Sequence, residues 1–156
     1  PPLRYEFLSE KNAVGYTDRQ GYEGYALQFS DESRGIVELE AIESARRFVD
    51  QVVIDPRLRE YVVALVHATR NPAAAGLAEL EPLVLYGGSP RATIWLALSA
   101  RANAFISGRG FVTPADIKAV APLVLRHRVV PTYEAEAEGL NADALVARVL
   151  ETVPVP

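Results

Sequence analysis

A chain of 156 residues that is 49% hydrophobic and 23% charged is long enough to bury one core and belongs to the globular rather than the disordered class. Its net charge of −4 argues against a nucleic-acid surface as its main task, and the lack of cysteine removes disulfide frameworks and thiolate metal sites. His67 and His127 are too few for a histidine-based metal centre, and no run of about eighteen apolar residues offers a membrane span.

Residues 1–34 differ in kind from the rest. Tyr5, Tyr16, Tyr22 and Tyr25 fall here, punctuated by Gly15, Gly21 and Gly24. The β-prone runs 4–8, 13–17 and 25–29 predict two or three short strands joined by turns. The chain opens on Pro1-Pro2 and contains no methionine, so it is expected to be a piece of a longer protein. No secretory leader is expected.

A helix is expected over 35–53, with Ile36, Leu39, Ile42 or Ala45, Phe48, Val49 and Val52 recurring at three- and four-residue steps. Glu43 and Arg47 are spaced for an ion pair on its other face. Asp55-Pro56 then reads as a cap and first position, opening a helix over 56–70. Leu58, Tyr61, Val62, Leu65, Val66 and Thr69 form its apolar stripe. His67 lies off the centre of that stripe and takes a structural role, since no second ligand or nucleophile is near it in sequence. Asn71-Pro72 stops the helix.

Residues 73–88 read as a long connection, of a length that is often functional, with 83–86 extended and partly buried. It breaks on Gly87-Gly88 and starts a new helix. The Ser89 hydroxyl suits the cap and Pro90 the first helical position. Arg91 then sits in the first turn, at the positive end of the helix dipole, where a cation is unfavourable by a few tenths of a kcal/mol. An anion bound at the spot would reverse that, because amides, dipole and guanidinium would all attract it. Taken alone, Ser-Pro-Arg also suits an exposed arginine that merely follows a cap.

This helix is expected to reach residue 107 and to bury Ile94, Trp95, Leu98, Ala102, Phe105 and Ile106, with Trp95 in the core. Ala97, Ala100 and Ala104 permit close helix approach. Gly108 supplies the usual stop. Thr113-Pro114-Ala115-Asp116 opens the next helix, with Asp116 a short version of the capping-box acid. Ile117, Val120, Ala121, Val124 and Leu125 point inward, and Pro122 predicts a kink. Arg126 and Arg128 lie where the dipole favours cations. Residues 129–133 read as extended. Glu134, Glu136 and Glu138 follow as a solvated acidic segment. Asn141 caps a last helix over 142–152 with Leu145, Val146, Val149 and Leu150 apolar. The expected fold is therefore mainly α, a bundle of four to five helices over 35–156 with a short aromatic, β-prone arm over 1–34.

Several of these segments, in order, resemble the MoxR family of AAA+ ATPases. Tyr61-Val62-Val63, Leu65-Val66 and Ala68-Thr69-Arg70 are similar to the family's Y-I-V-x-L-V-x-A-T-R helix. Gly88-Ser89-Pro90-Arg91-Ala92 resembles its G-A-S-P-R-A, the sensor-2 motif, and Ala100-Arg101-Ala102 with Ala104-Phe105 continues that helix. Gly108-Arg109, Phe111-Val112-Thr113-Pro114 and Asp116-Ile117 resemble G-R-x-Y-V-T-P-E-D-V, and Val124-Leu125-Arg126-His127-Arg128 resembles V-L-x-H-R. The match runs from about Ala41 onward. Arg4-Tyr5 with Val14-Gly15-Tyr16 loosely resembles the last core strand of the family. The arm is then a remnant of the ATPase core, or else a segment of unrelated origin.

The resemblance implies the small helical lid that follows a nucleotide-binding core. It implies Arg91 as the sensor-2 arginine, acting catalytically in the full ATPase, and Gly88, Ser89, Pro90 and Arg91 as the nucleotide-binding turn. ATP and Mg²⁺ would be held through a core outside this chain, with no cofactor for the chain alone and no metal site within it. The implied partners are that core, neighbouring subunits of a ring and a remodelled protein substrate, in the cytoplasm, with no membrane and no nucleic acid. No G-x-x-x-x-G-K-[ST] motif and no Walker-B strand is present, so the chain is expected to be inactive alone. Two other readings stay open. One is a stand-alone helical interaction module binding a protein through the tyrosine-rich arm. The other is a helix-turn-helix over 113–127 ending in Arg126 and Arg128, against which the acidic balance and Pro122 count.

Overall fold

Asp55 starts a helix against which several elements of the second unit pack. Its carboxylate accepts the Arg57 amide at 2.8 Å, and Pro56 takes the first position of α2 (Pro56–Arg70). The computed structural model describes residues 13–17, 23–27 and 39–156, with side chains from residue 42 onward. The chain divides into two units, Pro1–Ala41 and Ile42–Pro156. In the first, β1 (Ala13–Thr17) and β2 (Glu23–Leu27) pair antiparallel, from Ala13 opposite Leu27 to Thr17 opposite Glu23. The strand expected over 25–29 thus lies at 23–27, and the run 4–8 lies outside the described residues.

α1 (Leu39–Gln51) covers the later part of the helix expected over 35–53, and residues 35–38 lie outside the described ones. Its stripe is not buried as expected: Ile42 and Phe48 are exposed among the described residues, and Phe48 stacks on Phe105 with centroids 6.5 Å apart. The expected Glu43–Arg47 pair does not form among the described residues; Arg47 Nη2 donates to Ser44 Oγ at 3.2 Å instead.

In the second unit the 3.6-residue period of α2 decides its buried face. Leu58, Tyr61, Val62, Leu65, Val66 and Thr69 all lie inside, as their spacing requires. The Tyr61 hydroxyl has no hydrogen-bond partner among the described residues, and burial pushes the phenol up. The segment 73–83 is not an open connection. It forms two 3₁₀ turns, Ala73–Ala75 and Ala78–Leu83, and buries Leu77, Leu80 and Leu83 at the three-residue period of that helix. β3 (Val84–Tyr86) follows and pairs antiparallel with β4 (Val130–Pro131).

α3 (Pro90–Ile106) packs on α2 and on α4 (Pro114–Leu125), with its expected faces reversed. Ala92, Leu96, Ala100 and Ala104, four residues apart, are buried. Ile94, Trp95 and Ile106 are 60%, 53% and 65% exposed, so Trp95 is not a core residue. The alanine ladder lets the backbone of α3 approach its neighbours closely, which turns the large side chains outward.

α4 continues through Pro122 to Leu125 and buries Ile117, Val120, Ala121, Val124 and Leu125 as expected. Arg126 donates to the Pro122 carbonyl at 3.3 Å and pairs with Asp143 at 3.1 Å, and Arg128 donates to the Val124 carbonyl. The acidic segment is exposed at Glu134, Glu136 and Glu138, but a short helix, α5 (Tyr133–Ala137), carries its first half. α6 (Ala142–Thr152) starts at Asn141, whose Oδ1 accepts the Ala144 amide at 2.9 Å. The core gathers Val62, Leu65, Leu80, Leu96, Ile117, Leu125, Leu145 and Val146, each contributing about 1.5–3 kcal/mol on burial. The domain is mainly helical, and no helix among the described residues is long and apolar enough to cross a membrane.

Candidate functional site at the start of α3

Thr69 builds the site from below. It is a buried hydroxyl in the last turn of α2, and it donates to the Val66 carbonyl at 2.7 Å. Its oxygen accepts the Gly88 amide at 2.9 Å, which pins the turn before α3 to the end of α2. Gly87 makes the approach possible. A Cβ there would lie 2.1 Å from the Thr69 carbonyl oxygen and 2.7 Å from the Arg70 Cα, both backbone atoms that no rotamer change can move. Gly87 therefore lets backbone meet backbone, and Thr69 fixes the register. Sequence reading missed Thr69. The available signal was a hydroxyl inside an otherwise apolar stripe, a group that must find a partner when buried.

From this pinned turn the chain enters α3. Ser89 is extended, with φ −72° and ψ 163°, and its carbonyl accepts the Ala92 amide at 2.8 Å. Its hydroxyl makes no capping bond, contrary to expectation, so the cap comes from backbone conformation alone. The orphan amides of the first turn are left without a side-chain acceptor. Pro90 takes the first helical position. Arg91 is exposed and has neither ion pair nor hydrogen bond among the described residues. Arg70 is also exposed, and it ends α2 where a cation suits the dipole.

The opposite end of α3 is held by a buried carboxylate. Asp116 is 2% exposed and accepts from three residues: Arg109 Nη1 and Nη2 at 2.6 Å each, Asn103 Nδ2 at 2.7 Å, and the Thr113 amide at 2.8 Å and hydroxyl at 2.7 Å, so that it also closes the helix start. The Arg109 guanidinium, more than any other neighbour, holds this carboxyl far below the usual carboxylate range. Sequence reading saw only the local capping role of Asp116. The fork from Arg109 and the amide from Asn103 come from other elements, and spacing alone does not reveal them. α3 is thus a rod of about 25 Å fixed at its N-terminus through Thr69 and near its C-terminus through Asp116.

The donor set at the turn suits an anionic oxygen. A guanidinium, the Arg91 amide and the helix dipole all favour negative charge there. It fits one end of a polyphosphate rather than a whole nucleotide, since the turn itself offers no base pocket. No group of three metal-ligating side chains occurs among the described residues. His67 is exposed, beside Asn71 Nδ2 at 3.2 Å. It lines a groove of about 550 Å³ with Arg59, Val63, Ala75 and Val153, which shares no residue with the turn.

Comparison with known proteins places this turn inside a recognised unit. Residues 78–149 match the family model for the AAA lid domain. The chain is 40% identical over 113 residues to Chaperone MoxR1 of Mycobacterium tuberculosis, covering 72% of this chain and 29% of that protein. It is 43% identical over 107 residues to Protein MoxR of Paracoccus denitrificans, covering 65% and 31%. A crystal structure of a candidate ATPase from Cytophaga hutchinsonii superposes with a TM-score of 0.72 at 39% identity, covering 75% of this chain and 36% of that one. The chain spans less than a third of the length of the first and second of these proteins.

Proposed function

Because this chain carries the AAA lid domain of MoxR-type, chaperone-like AAA+ ATPases, we propose that it acts as the helical lid over a nucleotide-binding core, with Arg91 as the sensor-2 arginine. The observation that supports this most is an exposed Arg91 without a partner among the described residues, in the first turn of a helix whose entry is pinned to a buried threonine.

Within the turn the roles divide. The Gly88 amide is engaged by Thr69 and Pro90 has no N–H, so these two shape and anchor the turn. Ser89 and Arg91 remain to meet the ligand. ATP with Mg²⁺, held by the core, would supply the phosphoryl group that is transferred to water. Arg91 orients toward its terminal phosphate and neutralises charge there. Making or losing that contact shifts the whole rod of α3, because the turn and the Asp116 cluster leave it little freedom to bend. Nucleotide state thereby becomes lid position. Contact with neighbouring subunits and remodelling of a protein substrate belong to the same proposal.

A calorimetric titration of this chain alone with ATP·Mg²⁺ checks the division of labour. The expected result is no measurable heat at sub-millimolar nucleotide, since one cation and a helix end do not make a complete site. Tight binding that survives Arg91→Ala would place the nucleotide elsewhere and overturn the proposal.

A further inference from the structure

Among the described residues, one side-chain hydrogen bond ties residues 87–91 to another element: the 2.9 Å bond from the Gly88 amide to Thr69 Oγ1. Its surroundings are apolar. Gly88 and Thr69 are both buried. A Cβ placed on Gly88 would meet Thr69 Oγ1 at 3.4 Å, and the Ala92 Cβ and a Leu125 methyl at 3.5 Å each. Ala92 and Leu125 are themselves buried, so the glycine is enclosed by α2, α3 and α4. An amide enclosed in this way has to keep its protein partner, because water reaches it only if the turn moves.

Thr69 suits that task in a way that valine does not. Its hydroxyl proton goes to the Val66 carbonyl at 2.7 Å, which leaves the oxygen to accept from Gly88. Its β-branch restricts χ1 and so holds the oxygen in place. A chain of two bonds thus runs from the Gly88 amide through the hydroxyl to the body of α2.

We infer that Thr69 is a positioning residue for Arg91. It touches no nucleotide, and it acts by fixing where α3 begins, three residues before the guanidinium. The inference rests on the sensor-2 reading above and adds the group that aims the arginine. Without the hydroxyl, the Gly88 amide has no partner, the turn lifts until water reaches it, and Arg91 moves with the turn. Nucleotide is still held by the core, so ground-state binding changes little while the contact made at developing charge is lost.

Thr69→Val in the full-length parent keeps the shape of the side chain and removes the hydroxyl. The expected result is a fall in kcat of about tenfold with KM for ATP within about twofold of wild type. Thr69→Ser, which restores the hydroxyl, is expected to recover most of the loss. The Arg91→Ala background decides the mechanism. There Thr69→Val is expected to change kcat by less than about twofold, because no guanidinium is left to aim. A loss that repeats in full in that background overturns the inference, and so does a Thr69→Ser protein as slow as Thr69→Val. Amide hydrogen exchange followed by NMR on the 156-residue chain reads the bond without turnover. Gly88 is expected to exchange about tenfold faster or more in Thr69→Val, while the amides of α6 keep their rates. Unchanged exchange at Gly88 overturns the inference. A Thr69→Val chain that no longer folds does so too, since the hydroxyl would then serve the whole domain. The two readings fail separately. If Arg91→Ala leaves turnover unchanged, the sensor-2 reading fails and the positioning claim falls with it. If Arg91→Ala is slow and Thr69→Val is not, the positioning claim fails alone.

Discussion

Gly87→Ala in the full-length parent is expected to cut ATP hydrolysis by about a hundredfold, although no atom of residue 87 is proposed to touch nucleotide. The added methyl would meet the Thr69 carbonyl oxygen at 2.1 Å and its carbon at 2.4 Å. Overpacking of this kind costs about 1–3 kcal/mol, and here the obstacle is backbone, so the upper end applies. Relief comes by lifting the turn off α2, which breaks the bond from the Gly88 amide to Thr69 and moves the start of α3. A displacement of about 1 Å is enough to misalign a positioned charge. Gly110 is the control, because a Cβ there meets nothing within 4 Å. Gly110→Ala should leave both melting and turnover near wild type. A Gly87→Ala protein that melts and turns over normally would show that the turn does not depend on close approach to α2.

Asp116→Ala is expected to destabilise the chain by about 3 kcal/mol in urea unfolding, the lower end of the range for removing one partner of a buried ion pair. Arg109 is 30% exposed and can turn partly to water, which limits the loss. Asn103 and Thr113 are partly exposed as well, which acts in the same direction. Against a total stability of about 5–15 kcal/mol for a domain of this size, the effect is a drop in melting temperature of about 10 °C or more. A cost below about 1 kcal/mol would mean that the cluster is not a structural clamp.

The same carboxylate fixes the acid behaviour. Its folded-state acidity is shifted below the unfolded value of about 3.9, so the unfolded chain binds the proton more readily. The stabilisation is therefore fully present above about pH 5 and is lost progressively as the pH falls through 4 and below. Asp116→Asn should flatten this part of the stability–pH curve. An unchanged acid slope in that variant would assign the acid sensitivity to other carboxylates.

The faces of α2, α4 and α6 were legible because a single apolar stripe meets a single neighbouring surface, and the period alone selects it. α3 was not legible in the same way. It carries two candidate faces, one of large apolar side chains and one of alanines with Leu96. Hydrophobicity favours the first, but helix packing at short distance favours the second. Only the arrangement of α2 and α4 decides between them. The 3₁₀ turns over 73–83 left a readable trace in Leu77, Leu80 and Leu83, whose three-residue spacing is not that of an α-helix. At the site, Pro90 and Arg91 stand where capping rules place them, whereas the partners of Gly88 and Asp116 lie 19 residues away for Thr69 and 13 for Asn103. Contacts at that range depend on the fold, and no local rule specifies them. The lid identity was carried by the ordered set of motifs rather than by any one of them.

Single-turnover ATP hydrolysis by the full-length parent, with Arg91 as found and replaced by alanine, tests the central claim most directly. Arg91 is exposed and unpartnered among the described residues, so its removal should leave the fold intact and the melting temperature unchanged. The expected result is a fall in the rate of about a hundredfold with nucleotide still bound by the core, as for loss of one donor aimed at developing charge. A rate within about twofold of wild type at saturating ATP would contradict the sensor-2 role of Arg91, and with it the proposed coupling of nucleotide state to lid position.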